Sequence, residues 1–404
     1  MSLINKNLLD VYIVLTYIIN YMHLSSVITI IANNSFEGKT LGIHKIDECS
    51  YSVRKIGINN DISLTSAKTM YSALDYYYFN VEPGTYEIKI TTDKKLVSLD
   101  NLILGERDDL NIFCPFDSIV VKNSGDKINI TDLSYAFDFC QHLESIDLSM
   151  LDMSGVSNFR GIFSQCITLV SVNLGSLLPQ KLNNMNSMFY GCSSLISINL
   201  SSFDTSKVFD MSYMFFGCSS LISINLSNFD TSNVITMSLM FKYCSSLISL
   251  DLSNFGTSGV TNFESMFHDC DSLTSLDLSN FNTSKTENMQ SMFYNCNSLA
   301  YINIENFDIS HVTNMHSMFY NCQKLSSIII KNFEGNVLNS ATEMFYGCNS
   351  LISIDFNKFI VKNVTKLDKM FYNCFKLKSL DLSNFDTSST TTMELMFSGC
   401  ESLF

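Results

Sequence analysis

Apolar and polar positions recur along this chain with a period of 26. From Cys140 onward the unit reads C-x-x-L-x-S-[IL]-[DN]-L-S-N-F-D-T-S-x-V-x-x-M-x-x-M-F-x-x. Cysteine opens it eleven times between Cys140 and Cys400, without insertion or deletion. Counting each Cys as position 1, position 4 is Leu in every unit and position 24 is Phe in every complete one. Ten units are complete, and an eleventh opens at Cys400 and reaches Phe404. Self-similarity at a fixed period of this length is the mark of stacked supersecondary units, so a solenoid is expected.

The period within the unit changes from two to between three and four. Ile224 and Leu226 alternate with Ser223, Asn225 and Ser227, which predicts a strand with one face inward and one in solvent. Strands of successive units would form a parallel ladder at about 4.8 Å per rung. Further along, Met211, Met214, Phe215, Cys218 and Leu221 recur at steps of three or four, the spacing of one helical face. Position 19 (Asn158, Asn184, Asp210, Thr236) supplies N-cap residues, and position 26 (Gly191, Gly217, Asn295) residues that tolerate a left-handed stop. The expected fold is an α/β repeat solenoid of the leucine-rich-repeat type, with one short parallel strand and one short helical turn per 26-residue unit. Positions 1, 4, 7, 9, 12, 17, 20, 23 and 24 form the inward set. A single unit cannot cover that face alone, so stability must come from its neighbours. The incomplete eleventh unit presents an apolar end that is sticky, paired end to end, or the mark of a record cut short.

The stretches L-I-S-I-N-L-S-N-F-D-T-S-N-V (Leu221 to Val234) and M-x-x-M-F-Y-G-C (Met185 to Cys192) resemble the BspA-like leucine-rich-repeat surface proteins, in their 26-residue variant. The resemblance covers Leu133 to Phe404. It implies an exported, non-catalytic protein of the microbial cell surface, engaged in adhesion to a protein or glycan. That family offers no catalytic residues to transfer. Leu178-Pro179 and Ile360-Val361 depart from the D-T pair of the motif, which implies local loop changes.

The region before the repeat divides in two. Leu8 to Ala32 is strongly apolar, with only Lys6 ahead of it and Asp10, Asn20 and His23 within it. Residues 1–32 read as a signal peptide or signal anchor, which would permit membrane anchoring, or else as a buried helix and strand. Residues 33–130 carry no repeat. Tyr76 to Val81 and Tyr86 to Thr91 flank Glu82-Pro83-Gly84-Thr85, a type II turn signature, and Ser118 to Lys122 and Lys127 to Thr131 flank a second turn. A small β-rich domain capping the first unit is expected there, with the solenoid over 131–404.

Charge narrows the partners. The formal net charge is −14 with 16% charged residues, which gives no general attraction to nucleic acid. Thirteen Cys is an odd number, so full intrachain pairing is impossible. The column of eleven has no C-x-x-C pair and sits between Phe and Leu positions, as buried thiols would. Cys49 and Cys114 lie outside it and are candidates for one disulfide. The D-T-S step (Asp204, Asp230, Asp308, Asp386) reads as an Asx-turn or as stacked calcium ligands.

Two surfaces are candidate binding sites. The outward strand face carries Asn199, Asn225, Asp251, Asp277, Asp355 and Asp381, a broad polar sheet with few aromatic or Arg anchors. Position 25 supplies Tyr294, Tyr320, Tyr346 and Tyr372, an aromatic stripe suited either to a partner or to stacking between units. Thr205, Thr231, Thr257, Thr283 and Thr387 form a further column, expected to face outward. Six scattered His share no Asp/Cys constellation and no phosphate-cradling Gly loop is present, so neither catalysis nor a cofactor or metal is expected. The expected protein binds a protein or glycan at the cell surface or after secretion, the alternative being a cytoplasmic scaffold on the same solenoid.

Overall fold

The computed structural model describes residues 13–20, 23–34, 39–44, 49–57, 62, 65–68, 75–81, 83–92, 96–98, 103–104, 116–123, 129–149, 151–175, 179–329, 333–335, 337–354, 359–361, 363–383 and 386–404. The chain forms two compact units, Met1–Lys181 and Leu182–Phe404.

In the first unit a seven-stranded sheet runs in the order Ser171–Asn173, Ser145–Asp147, Phe116–Asn123, Ile13–Asn20, His23–Asn34, Gly84–Thr92, Cys49–Lys55. The apolar stretch read as a leader or anchor supplies two of these strands, antiparallel from Ile13↔Ile30 to Asn20↔His23. Phe116–Asn123 pairs in parallel with Ser145–Asp147, and that strand with Ser171–Asn173, 26 residues on. The β-rich region thus shares its sheet with the first repeat strands. The runs around the Pro-Gly turn are strands, at Asp75–Val81 and Gly84–Thr92, but they do not pair as a hairpin. Asp75–Val81 lies between Thr65–Lys68 and Lys39–His44 in a four-stranded sheet, while Gly84–Thr92 lies between His23–Asn34 and Cys49–Lys55. A turn signature fixes where a chain reverses, whereas side-chain packing chooses the partner.

The second unit is a parallel β-solenoid. Ser275–Asp277, Tyr301–Asn303 and Ser327–Ile329 form a three-stranded ladder in which each residue faces the one 26 positions later. Further along the same face Ser353–Ile354 pairs in parallel with Ser379–Leu380, and Asn199↔Asn225 forms a single bridge. A second ladder runs along position 19, from Asn184↔Asp210 through Asp210↔Thr236 to Lys366↔Thr392. Between the two ladders the inward set packs as expected: Met211, Met214, Phe215, Cys218 and Leu221 are all fully buried. The Phe of position 24 stacks on its successor along the unit, with centroids 5.7 Å apart for Phe189–Phe215 and 5.6 Å for both Phe215–Phe241 and Phe267–Phe293.

The expected helical turn is absent: no helix occurs among the described residues. Position 22 holds a left-handed backbone in coil after coil, at φ 59° for Tyr213, 58° for Leu239, 52° for Ser265 and 56° for Glu343. Position 26 does the same, at 73° for Gly217, 59° for Asp269 and 56° for Asn295. A left-handed residue every fourth position breaks a right-handed helix. The hydrogen bonds show what replaces it. The N–H groups of Met211, Tyr213, Phe215 and Gly217 donate to the carbonyls of Thr236, Ser238, Met240 and Lys242 in the next coil, at 2.8–3.3 Å. Those of Met214, Phe216 and Cys218 turn back on Met211, Tyr213 and Phe215. Buried backbone groups must be paired, and here alternate residues are satisfied by a local turn and by the neighbouring coil. Consecutive turns carry positions 20, 23, 24 and 1 inward much as a helix would, so the apolar spacing is the same for both. The position-19 residues cap nothing; Asp210 Oδ1 accepts the N–H of Ser212, two residues on, at 2.9 Å.

The Thr column also faces the opposite way from the expectation. Thr205, Thr231, Thr257 and Thr283 are buried, and each hydroxyl donates to the carbonyl of position 13 in the next coil, as Thr231 does to Gly256 at 3.0 Å. Thr387 alone of the five is exposed.

Candidate binding surface

Position 8 lies between position 7, buried at Leu276 and half-buried at Ile198, Ile224 and Leu250, and position 9, buried at Leu200, Leu226, Leu252 and Leu278, and its side chain emerges into solvent. Asn199, Asn225, Asp251, Asp277 and Asp381 are all exposed there; Asp355 lies outside the described residues. In each, one side-chain oxygen turns back to accept the backbone N–H two residues later. The bonds run from Ser201 to Asn199 (3.1 Å), Ser227 to Asn225 (3.0 Å), Ser253 to Asp251 (3.0 Å), Ser279 to Asp277 (2.9 Å) and Ser383 to Asp381 (2.9 Å). An Asx-turn needs only Oδ1, so Asn and Asp serve equally in the fold, and Asp alone adds charge. The Ser253 and Ser383 N–H groups hold the Asp251 and Asp381 carboxyls below the ordinary carboxylate value, which keeps both ionised at neutral pH. The D-T-S step is built the same way, with Ser206 and Ser232 donating to Asp204 and Asp230.

One column on this face is missed by reading the motif position by position. Position 5 is variable in the consensus, yet Ile196, Ile222 and Ile248 occupy it in three consecutive coils and are 46–52% exposed. Their backbones pair along the ladder, Ile222 N–H to Ile196 and Ile248 N–H to Ile222, both at 3.2 Å. Thr274 and Ala300 continue the line, and Tyr301 stands exposed beside Ala300, at the position where its ladder partners are Ser275 and Ser327. The available signal was the repeated L-I-S run, in which the Ile sits out of phase with the inward set.

The position-25 stripe is a continuous stack. His268, Tyr294, Tyr320, Tyr346 and Tyr372 lie with successive centroids 4.4, 4.4, 4.5 and 4.8 Å apart and ring planes within 10° of parallel. Each inner ring has both faces covered by its neighbours and presents only an edge. Burial pushes the Tyr320 hydroxyl up to about 12, with the adjacent phenols adding to the effect. The stack ends on an acidic corner, where His268 Nε2 lies 2.9 Å from Asp269 Oδ2 and Asn295 donates to Asp269 Oδ1 at 2.8 Å. Burial raises Asp269, but the bonds from His268 and Asn295 outweigh it and leave the carboxyl below its ordinary value. Among the described residues no group of three or more His, Cys, Asp or Glu is arranged to hold a metal ion. On the second ladder a shallow polar groove of about 680 Å³ is lined by Gln290, Asn314, His316, Thr342, Lys366 and Asp368, with other residues of the same columns.

From Cys218 to Cys400 each column thiol donates to the carbonyl of the Phe 29 residues earlier, at 3.0–3.2 Å. These cysteines are not disulfide-bonded. The suggested Cys49–Cys114 pair falls partly outside the described residues, since Cys114 is not among them.

No curated protein matches the chain. Among solved structures, one titled "Crystal structure of TLR13-ssRNA13 complex" is similar at 18% identity with a TM-score of 0.33, over 73% of this chain. The chain spans 43% of the length of that structure. A family model described as "Mycoplasma protein of unknown function, DUF285" matches three times, over residues 121–223, 216–301 and 296–404. These matches run through the whole repeat region and take in well over half of the sequence, and the chain belongs to that family.

Proposed function

We infer that this is a non-catalytic binding protein, displayed at the cell surface or secreted, that takes a protein or glycan partner along the exposed strand face of its solenoid. One observation carries the reading: position 8 exposes Asn199, Asn225, Asp251 and Asp277 on four successive rungs, and position 5 exposes Ile196, Ile222 and Ile248 on the first three of them. Equivalent contacts repeated along a rigid axis let individually weak interactions add up. The likeness of Leu221 to Val234 and Met185 to Cys192 to the BspA-like surface proteins supports display outside the cell.

The second reading, an intracellular scaffold on the same face, is favoured by the reduced thiols of the Cys column, because oxidising compartments favour pairing. Protease treatment of intact cells separates the two. Cleavage of the chain without lysis supports surface display, and full protection until lysis supports the scaffold. Surface plasmon resonance of the full chain against a panel of extracellular-matrix proteins and glycans tests the binding itself. Loss of a panel hit in Asp251→Asn/Asp277→Asn supports the strand face, whereas no hit on the panel counts against the reading.

A further inference from the structure

The strand face of the coils from Ser193 to Asn303 carries a stripe whose chemistry is more specific than a polar sheet. Ile196, Ile222 and Ile248 stand about half exposed on adjacent rungs, and Tyr301 adds a 40% exposed aromatic ring two rungs further. Isolated exposed aliphatics are ordinary, but aligned ones beside an aromatic are the makings of an interface. Tyr is among the residues that concentrate binding energy in protein contacts. The flanking charges have one sign. Asp251 and Asp277 are exposed on one side and Asp271 is half-buried on the other, while positions 2 to 8 of these five coils contain no Lys or Arg. The net charge of −14 carries the same sign to longer range.

We propose that this stripe is the docking site for a polypeptide segment rich in aliphatic and basic side chains, lying across the rungs with its aliphatic groups on Ile196, Ile222, Ile248 and Tyr301 and its Lys or Arg beside Asp251 and Asp277. This rests on the binding reading above and narrows the partner from protein or glycan to a cationic, aliphatic peptide. A glycan would leave three exposed Ile without apolar partners, and an anionic lipid surface would meet the carboxylates. Rungs about 4.8 Å apart make four of them on the order of 19 Å, a span covered by about six extended residues.

Fluorescence anisotropy of a labelled ten-residue peptide of alternating Leu and Lys, titrated with the full chain, tests this directly. The wild type is expected to bind it, more weakly as salt rises, and to ignore the matching Leu/Glu peptide. Ile196→Ser/Ile222→Ser/Ile248→Ser keeps every charge and is expected to lose at least tenfold in affinity with an unchanged thermal midpoint, since these side chains are exposed. Tyr301→Ser, which restores the residue found on its ladder partners, is expected to lose severalfold. Equal binding by the wild type and the triple Ser variant would overturn the stripe, because attraction by net charge alone would then explain the signal. Tight binding to anionic vesicles, or no peptide binding while a matrix protein or glycan still binds, would overturn this proposal and leave the broader one standing. Failure in both assays would remove both.

Discussion

The thiol of Cys244 donates to the carbonyl oxygen of Phe215, 29 residues earlier, at 3.1 Å. The bond joins two adjacent coils in the dry centre of the stack, and its repetition explains why a small side chain with a weak donor holds position 1. Burial pushes the thiols of Cys218, Cys244, Cys270, Cys296, Cys322 and Cys348 well above the ordinary value. Two outcomes are expected. Iodoacetamide at pH 8 should label Cys400, which is only partly buried, before any thiol from Cys218 to Cys348, as peptide mapping would show. Stability should also fall with alkali. Below pH about 8.5 folded and unfolded chains hold the same thiol protons; above it the unfolded chain releases protons that the folded one keeps, costing about 1.4 kcal/mol per pH unit for each such thiol. A urea midpoint unchanged between pH 8 and pH 10 would contradict this.

Gly217 sits at position 26 with φ 73°, and a Cβ added there would meet the Gly191 Cα at 3.4 Å, an ordinary contact. The backbone angle is therefore the constraint. Gly217→Asn should be nearly neutral, because Asn295, Asn321 and Asn373 hold the same position at φ 56°, 56° and 60°. Gly217→Val should cost about 1–3 kcal/mol, as expected for a β-branched residue in the left-handed region. Urea denaturation of the two variants provides the comparison, and equal stabilities would exclude the backbone explanation.

How far the sequence revealed the fold can be judged from these same columns. Cys244 and Phe215 announced themselves because a core position repeated every 26 residues has only one role, to meet its copy in the next coil. Met211, Met214 and Phe215 gave the right inward set but the wrong local geometry. Steps of three and four specify which side chains share a face, not whether the backbone reaches it by a helix or by successive turns. The deciding quantity, φ at Tyr213 and Leu239, is invisible because neither residue type marks a left-handed backbone. Ile222 was concealed by the consensus, where position 5 is variable, and Thr231 by its polar side chain, which reads as outward until its acceptor in the next coil is known. The position-8 Asp and Asn were located on the exposed face from alternation alone, yet their turn-forming bonds give them a structural role as well.

Thr231 tests the inward Thr column. Its hydroxyl is buried and donates to the Gly256 carbonyl, while Ile309 is fully buried at the corresponding position. Thr231→Val keeps the shape, removes one donor and leaves a carbonyl unpaired, so a loss of about 1–2 kcal/mol is expected. On an outward, solvated column the same change would be close to neutral. The urea midpoint decides between them, with Thr231→Ser as the control that retains the hydroxyl.

The Tyr stack should behave as a structural column. Tyr346 lies between Tyr320 and Tyr372 at 4.5 and 4.8 Å, so Tyr346→Ala removes two ring contacts at about 0.5–1.5 kcal/mol each, beyond the burial lost with the ring. Its hydroxyl neighbours give a spectroscopic signature. Burial, then the adjacent phenols, raise Tyr320 to about 12, and burial also raises Tyr294. In an absorbance titration at 295 nm these two should ionise after the ordinary phenols, near 10. The raised folded value leaves stability untouched below pH about 10 and lowers it as pH climbs from there towards 12, since the unfolded chain ionises first. Tyr346→Ala opens the Tyr320 face to water and should bring its titration back toward the ordinary value. If Tyr346→Ala instead left both the titration and the urea midpoint unchanged while abolishing binding to a partner, the column would be a recognition surface and not a support.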